Sequence, residues 1–251
     1  MLDMKRAGQG AIRSHDDVRT MFDRIVPRYD LMNRVMTGGR DGVWRRLAVR
    51  EAFDGRSASG LRILDVATGT GDLAIALRDA GAGSVVGLDF SPHMLDEAKR
   101  KENLANGQQI VWVEGDAMAL PFADASFDAV TVGFGLRNMP GYLDALREMA
   151  RVLRPDGVLA CLETTPLMTP ILPTAFDWYF SRVVPLVGGL LSGDRDAYAY
   201  LPASAAAFPD ANALGIMMLG AGFTRVRYLR LGFGAVALHV ATNGGVLPPG
   251  E

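Results

Sequence analysis

Carboxylates and a pair of glycines mark where this chain can do chemistry. Asp65 closes a short apolar run, Leu61 to Leu64, and four residues later comes Gly69-Thr70-Gly71-Asp72-Leu73-Ala74. Two glycines one residue apart let a backbone turn sharply and leave room for a ligand to lie against it. Amides at the start of the helix that follows favour a negatively charged ligand group. Asp89 ends the next apolar run, 18 residues after Gly71. A carboxylate there can accept hydrogen bonds from both hydroxyls of a ribose. Asp116 follows a third run, in Gly115-Asp116-Ala117. It can accept from an adenine amino group while Ala117 offers a backbone amide.

The glycine pattern matches the G-x-G-x-x-G/A turn of dinucleotide-binding folds, and alone it is a weak signal. Asp65 separates two adenine cofactors. A carboxylate beside the turn suits an ammonium group, which the methionine moiety of S-adenosylmethionine carries and a nicotinamide dinucleotide lacks. Asp89 is neutral between the two. Each acid by itself also reads as a solvated strand end or a helix cap. Ending successive strands beside a glycine turn, the two together read as a cofactor site.

The elements that must hold these residues follow from the pattern. Short apolar runs at 61–66, 84–88, 110–113, 127–132 and 158–162 alternate with helical stretches at 72–80, 92–103 and 141–153. That alternation predicts an α/β fold, a doubly wound parallel sheet with helices on both faces. Ser91 is placed to cap the second of these helices, and Arg154 to Gly157 reads as a turn. A helix over 210–219 and strands at 223–229 and 236–241 close the chain. The strands are joined by Leu231-Gly232-Phe233-Gly234, short enough for an antiparallel hairpin. Ahead of the first strand, helices at 17–26, 29–36 and 42–53 form an N-terminal helical lid. The expected organisation is a loose 1–15, a single domain over 16–242 and a frayed 243–251. Within the domain, 16–56 is the lid, 61–163 the cofactor-binding core, 164–208 an insertion on the acceptor side and 209–242 the closing helix and hairpin.

Bulk properties exclude other classes. A net charge of −2 in 251 residues points to no nucleic acid. The single cysteine, Cys161, excludes an intrachain disulfide and any multi-thiolate metal site, and reads as a small core residue. No histidines share metal-ligand spacing, so no metal is expected. Of the three, His93 reads as solvated and His239 as structural. The first 17 residues lack an apolar signal core and no run of 18 apolar residues occurs, which suggests the cytoplasm.

DVATGTGD, LDFSPHML, GDAMALPFADASFDAV and REMARVLRPDG resemble the class I S-adenosylmethionine-dependent methyltransferases. That family implies a seven-stranded, mostly parallel sheet with an antiparallel last strand, in agreement with the hairpin. MFDRIVPRYDLMN, FGLRNM, Tyr198-x-Tyr200-Leu201-Pro202-x-Ser204 and VALHVA are similar to the menaquinone and ubiquinone biosynthesis C-methyltransferases, over about residues 16–242. The resemblance implies cofactor contacts at Thr70, Asp89, Asp116, Ala117 and Gly133, the last a position where the family often carries Ser. It implies S-adenosyl-L-methionine as cofactor, S-adenosyl-L-homocysteine as product, and a lipid-tailed quinol acceptor, demethylmenaquinol first and a ubiquinone-pathway benzoquinol second. Outside that resemblance stand a nicotinamide-dependent oxidoreductase and a non-catalytic module that only binds the cofactor.

Methylation of a quinol ring carbon needs alignment of methyl and carbon, phenolate character at the neighbouring oxygen, and an exit for the ring proton. Arg137 follows the fourth strand, where ligands bind in such sheets, and is the first candidate to stabilise the oxyanion. An alternative pairs it with an acid such as Asp65. Asn138 can orient the hydroxyl. Asp30 is either the proton acceptor or a cap of its helix. Tyr29 and Asn33 belong to the lid and are candidates to bind the acceptor, and Tyr198 and Tyr200 are candidates to line its pocket. The family's Glu-x-Ser-x-Pro stands here as Glu163-Thr164-Thr165-Pro166. An aromatic-rich apolar stretch over 176–190 suggests a tail channel, transient contact at the inner face of the cell membrane, a homodimer interface or ordinary core.

Overall fold

In the computed structural model, runs of Val, Ile, Leu and Ala become buried strands because both faces of the sheet are covered. Residues 26, 30, 31, 33, 34, 37–103, 109–166 and 204–244 are described. The strands are β1 (Arg62–Val66), β2 (Ser84–Asp89), β3 (Val111–Glu114), β4 (Phe127–Gly133), β5 (Leu153–Thr164), β6 (Phe223–Leu231) and β7 (Val236–Asn243). They form one seven-stranded sheet in the order β3-β2-β1-β4-β5-β7-β6. Neighbours from β3 through β5 run parallel, and β7 is antiparallel to both β5 and β6. The expected doubly wound sheet with a reversed last strand is therefore present.

Helices α1 (Asp41–Phe53) and α2 (Asp72–Asp79) cover one face. There Trp44, Ala48, Leu73 and Leu77 pack with Ile63, Ala129, Ala160, Leu162 and Leu238. Helices α4 (Tyr142–Val152) and α5 (Ala211–Gly220) cover the other. Tyr142, Leu146, Met149, Leu214 and Met218 pack there with Leu64, Val66, Val130, Val132 and Cys161. Helix α3 (Pro92–Asn103) lies between β2 and β3 in the chain, and Ser91 Oγ caps it by accepting from the Met94 amide at 3.2 Å. Asp210 caps α5 through the Ala213 amide at 2.9 Å. His239 on β7 meets the Ala211 carbonyl at 2.8 Å through Nε2. It ties the last strand to the start of α5, a structural role, while His93 is exposed.

One stretch differs from its reading as a simple turn. Residues 154–157 lie inside β5 as an irregularity: Phe127 stands opposite Leu153, but Ala129 stands opposite Val158. The extra residues loop out of the ladder, with Asp156 at φ +61°. Residues 17–25 of the helix expected over 17–26, Tyr29, Tyr198, Tyr200, the stretch 176–190 and both chain ends lie outside the described residues. Among those described, no helix is long and apolar enough to cross a membrane.

Trp112 underlies the glycine turn. Asp65, Gly87 and Trp112 stand in register across β1, β2 and β3, so their side chains share one face. A Cβ at Gly87 would stand 2.5 Å from the Trp112 ring, and one at Gly71 would stand 2.7 Å from the same ring. Glu102 fixes that ring: its Oε2 accepts from Trp112 Nε1 at 2.7 Å while Oε1 accepts from the Ile110 amide at 2.5 Å. Gly87→Ala therefore forces the indole away from the turn. The expected loss is about 1–3 kcal/mol of stability, with cofactor affinity falling alongside. Thermal unfolding and calorimetry check both, and an unshifted midpoint would contradict this packing.

Candidate active site

Asp65 is 1% exposed, on the face of the sheet covered by α1 and α2. Its Oδ1 accepts from Thr131 Oγ1 and its Oδ2 from Thr68 Oγ1, both at 2.6 Å. Burial pushes the carboxyl up to about 6, against the lowering pull of these two hydroxyls and of the Arg45 charge, with the charge of Asp89 adding to the rise. A carboxylate kept ionised in such a place is destabilising until a cation joins it. That is the property an ammonium-binding group needs.

The glycine turn is tied to the end of β2. Thr68 N donates to the Leu88 carbonyl at 2.9 Å and Gly69 N to Asp89 Oδ2 at 2.7 Å. Gly69 and Gly71 stand at φ +56° and +83°, where a side chain is strained. Asp89 Oδ1 also accepts from Ser91 N at 3.0 Å. The carboxylate is thus oriented by two amides, one on each oxygen. Gly115 N donates to the Asp89 carbonyl at 3.0 Å, which brings the third strand's end to the same edge. There Asp116 Oδ1 accepts from Met118 N at 2.8 Å and Ala117 is buried. Gly133 ends β4, and a Cβ on it would stand 3.2 Å from Leu73 Cδ2. The structure thus gathers Asp65, Gly69, Thr70, Gly71, Asp89, Asp116, Ala117 and Gly133 at the C-terminal edge of the sheet or in the turn beside it.

Asp30 reaches this edge from the N-terminal helical segment. Its Oδ1 accepts from Thr70 Oγ1 at 2.6 Å and its Oδ2 from Lys101 Nζ at 2.8 Å. Lys101 also pairs with Asp72, and Arg45 bridges Asp72 at 3.0 Å and Asp41 at 2.6 Å. Asp30 therefore fastens the N-terminal segment to the glycine turn. Lys101, Arg45, Asp41 and Asp72 were not legible as site residues, because nothing in their local sequence says that three distant helices converge on one turn.

Arg137 and Asn138 follow β4 in a single turn of 3₁₀ helix, Leu136–Asn138. Phe134, just ahead, holds φ +59°, a strained value for a bulky residue. Its carbonyl accepts from Arg137 Nη1 at 2.6 Å and from Asn138 Nδ2 at 3.3 Å. Gly135 faces the glycine turn, and a Cβ there would stand 2.6 Å from that of Ala67. FGLRN and ATGTG can touch only because this residue is glycine. Arg137 is 3% exposed and pairs with Glu163 at 2.6 Å, not with Asp65. Sequence reasoning gave Glu163 no role of its own, although it stands near the end of β5 as Asp65 and Asp89 do in β1 and β2. Asn138 Oδ1 and Asn33 Nδ2 are buried without a hydrogen-bond partner among the described residues. Atoms of this kind are satisfied by a ligand or by water. Among the described residues no group of three His, Cys, Asp or Glu side chains is placed to hold a metal ion.

A seven-stranded sheet of this order, with its last strand reversed and its acids on the C-terminal edge, is the class I methyltransferase fold. Solved structures agree. A Thermotoga maritima S-adenosylmethionine-dependent methyltransferase matches with a TM-score of 0.60 at 20% identity, over 90% of this chain and 99% of that one. The [4+2]-cyclase SpnF matches with 0.63 at 20% identity, over 95% and 99%. A cyclase on the same fold means that architecture alone leaves the reaction open. Sequence narrows it. The ubiE/COQ5 methyltransferase family model matches residues 10–243, and the chain belongs to that family. It is 50% identical to the demethylmenaquinone methyltransferase of Thermus thermophilus, over 88% of this chain and 98% of that protein. The corresponding protein of Deinococcus radiodurans is 48% identical, over 89% and 91%. The ubiquinone/menaquinone biosynthesis C-methyltransferase UbiE of Desulfotalea psychrophila is 42% identical, over 95% of each. The protein is a methyltransferase, and its family implies S-adenosylmethionine as donor.

The raised Asp65 carboxyl makes an opposed pair of expectations. With its folded value near 6 and its ordinary value 3.8, its contribution to stability is complete below pH 3.8 and is lost as pH rises through 6. Asp65→Asn should therefore be more stable than the parent at pH 7, by up to about 3 kcal/mol. It should also bind S-adenosylhomocysteine roughly tenfold or more weakly. The parent's affinity should fall below pH 6, and the variant's should not. Equal affinity in parent and variant would rule out Asp65 as a contact for the ligand's ammonium group.

Proposed function

We propose that this protein transfers a methyl group from S-adenosylmethionine to a ring carbon of demethylmenaquinol, yielding menaquinol. The observation that carries the reading is the 50% identity, over nearly the whole length of each, to a protein named demethylmenaquinone methyltransferase. A benzoquinol of the ubiquinone pathway is the second reading, favoured by the 42% identity to a UbiE protein named for both quinones.

S-adenosylmethionine, when bound, supplies a methyl group on a sulfonium, electrophilic and in need only of alignment. We assign Asp65 to its ammonium group, Asp89 to the ribose hydroxyls, and Asp116 with the Ala117 amide to the adenine. Thr70 and the backbone of Gly69, Gly71 and Gly133 line the space between. This assignment is supported by the buried, hydrogen-bond-oriented Asp65 and Asp89 and by a turn that has no room for a Cβ at Gly71.

On the acceptor side, Arg137 is the group assigned to favour the anionic form of the quinol oxygen, which raises electron density at the neighbouring ring carbon. Asn138 and Asn33 are assigned to orient the acceptor, a role in keeping with their partnerless buried amide atoms. As the carbon–methyl bond forms, the ring C–H must release its proton to a base or to water. Asp30 is not our choice for that base, since Thr70 and Lys101 occupy its two oxygens; we read it as the latch of the lid. Tyr29, Tyr198 and Tyr200 remain assigned to the acceptor pocket on the family resemblance alone. The acceptor's isoprenoid tail partitions into a bilayer, so the reading includes transient contact with a membrane surface.

The test is transfer of labelled methyl from S-adenosylmethionine to reduced demethylmenaquinone and, in parallel, to a demethyl benzoquinol of equal tail length. Preference for the naphthoquinol is expected, and preference for the benzoquinol would install the second reading. Arg137→Ala should lower kcat by about 10²-fold with little change in S-adenosylhomocysteine affinity. Equal losses in both would reduce Arg137 to a structural residue.

A further inference from the structure

We infer that Glu163 is a positioning residue of the reaction, holding Arg137 in its working geometry; the inference rests on the role assigned to Arg137 above. Glu163 is 1% exposed and engages Arg137 twice. Its Oε2 accepts from the Arg137 backbone amide at 3.2 Å, and its Oε1 accepts from Arg137 Nη1 at 2.6 Å. The same Oε1 is itself fixed by the Thr164 amide at 2.8 Å and the Thr164 hydroxyl at 3.2 Å. One carboxylate thus clamps both the main chain and the side chain of Arg137. Nη1 also donates to the Phe134 carbonyl at 2.6 Å, so the guanidinium is held between the strained residue that starts its loop and the acid that ends the next strand.

Sheet register explains why this acid, and not Asp65, takes the arginine. The last rung between β4 and β5 joins Gly133 and Leu162, and Phe134 N donates to the Leu162 carbonyl at 2.8 Å. Glu163 is the next residue along β5, directly beneath the loop that carries Arg137. Its side chain lies on the same face as Cys161, the face of α4 and α5. Asp65 is in register with Thr131 and so with Ala160, on the opposite face. The sheet therefore separates two buried carboxylates: one awaiting a cation, the other already holding one.

An apolar pair of the same shape would fill this space without the desolvation that two buried charges carry. Retaining the pair is reasonable if it sets the direction of the guanidinium plane, because a planar fork recognises an oxygen only along defined directions. The pair also keeps the site near neutrality, so Arg137 stays rigid without acting as an unpaired buried cation.

The test measures Glu163→Gln, Glu163→Asp, Arg137→Gln and the double variant Glu163→Gln/Arg137→Gln. The readouts are kcat, KM for the quinol, S-adenosylhomocysteine affinity and thermal midpoint. If Glu163 positions Arg137, Glu163→Gln loses roughly 10–100-fold in kcat with cofactor affinity within about twofold of the parent. Glu163→Asp restores part of that loss. In the Arg137→Gln background, Glu163→Gln produces no further fall in kcat. Independent, multiplying losses in the double variant would overturn the clamp, as would a Glu163→Gln enzyme with parental kcat. A Glu163→Gln chain that does not fold, beside a Glu163→Asp enzyme with parental kcat, would also overturn it by making the residue purely structural. An Arg137→Gln enzyme with parental kcat would instead overturn the assignment of Arg137 itself. An impaired Arg137→Gln enzyme beside an unimpaired Glu163→Gln enzyme would overturn only the clamp.

Discussion

Keeping the Asp65 carboxylate charged inside the protein is the constraint around which much of this site is built. Burial raises its proton affinity to about 6, so ionisation near neutrality works against folding. Thr68 and Thr131 lower the penalty without removing it, since hydroxyl donors stabilise a carboxylate less than a cation does. In the same register row, Gly87 has no side chain and Trp112 fills the space beyond it. A positively charged group brought next to Asp65 would offset that penalty.

Around this acid, rigidity comes from side chains that hold backbone. Asp89 holds the amides of Gly69 and Ser91, Glu163 holds that of Arg137, and Glu102 holds that of Ile110. Each is an acid at or near the end of a strand or helix that fastens a loop to the sheet edge. Side chains fixed in this way lose little freedom when a ligand binds, so more of the interaction energy is available for alignment. The strained backbone at Ala67 and Phe134 lies on the two loops that touch at Gly135, where close approach replaces side-chain packing.

The N-terminal segment is secured differently. Asp30, Lys101, Asp72, Arg45 and Asp41 form a chain of charges across four helical segments. Asp30, Lys101 and Asp72 are partly solvated, so salt screens their pairing more than that of the buried Arg137 and Glu163.

Much of this was readable in the chain. Apolar runs alternating with helical stretches determined the doubly wound sheet, and Leu231-Gly232-Phe233-Gly234 determined the reversed last strand, because strand burial and turn chemistry are local properties. That Asp65, Asp89 and Asp116 share one edge was legible because strand ends on one edge of a parallel sheet are neighbours by topology. Tertiary structure alone decided which acid holds which base. Arg137 pairs with Glu163 and not Asp65 because alternate residues on a strand face opposite sides of the sheet, and the offset between β1, β4 and β5 fixes which side. Only packing, too, brought Asp30 to Thr70 and Lys101 and placed Trp112 beneath Gly71. These contacts join residues far apart in sequence through the orientation of side chains, which no local spacing encodes.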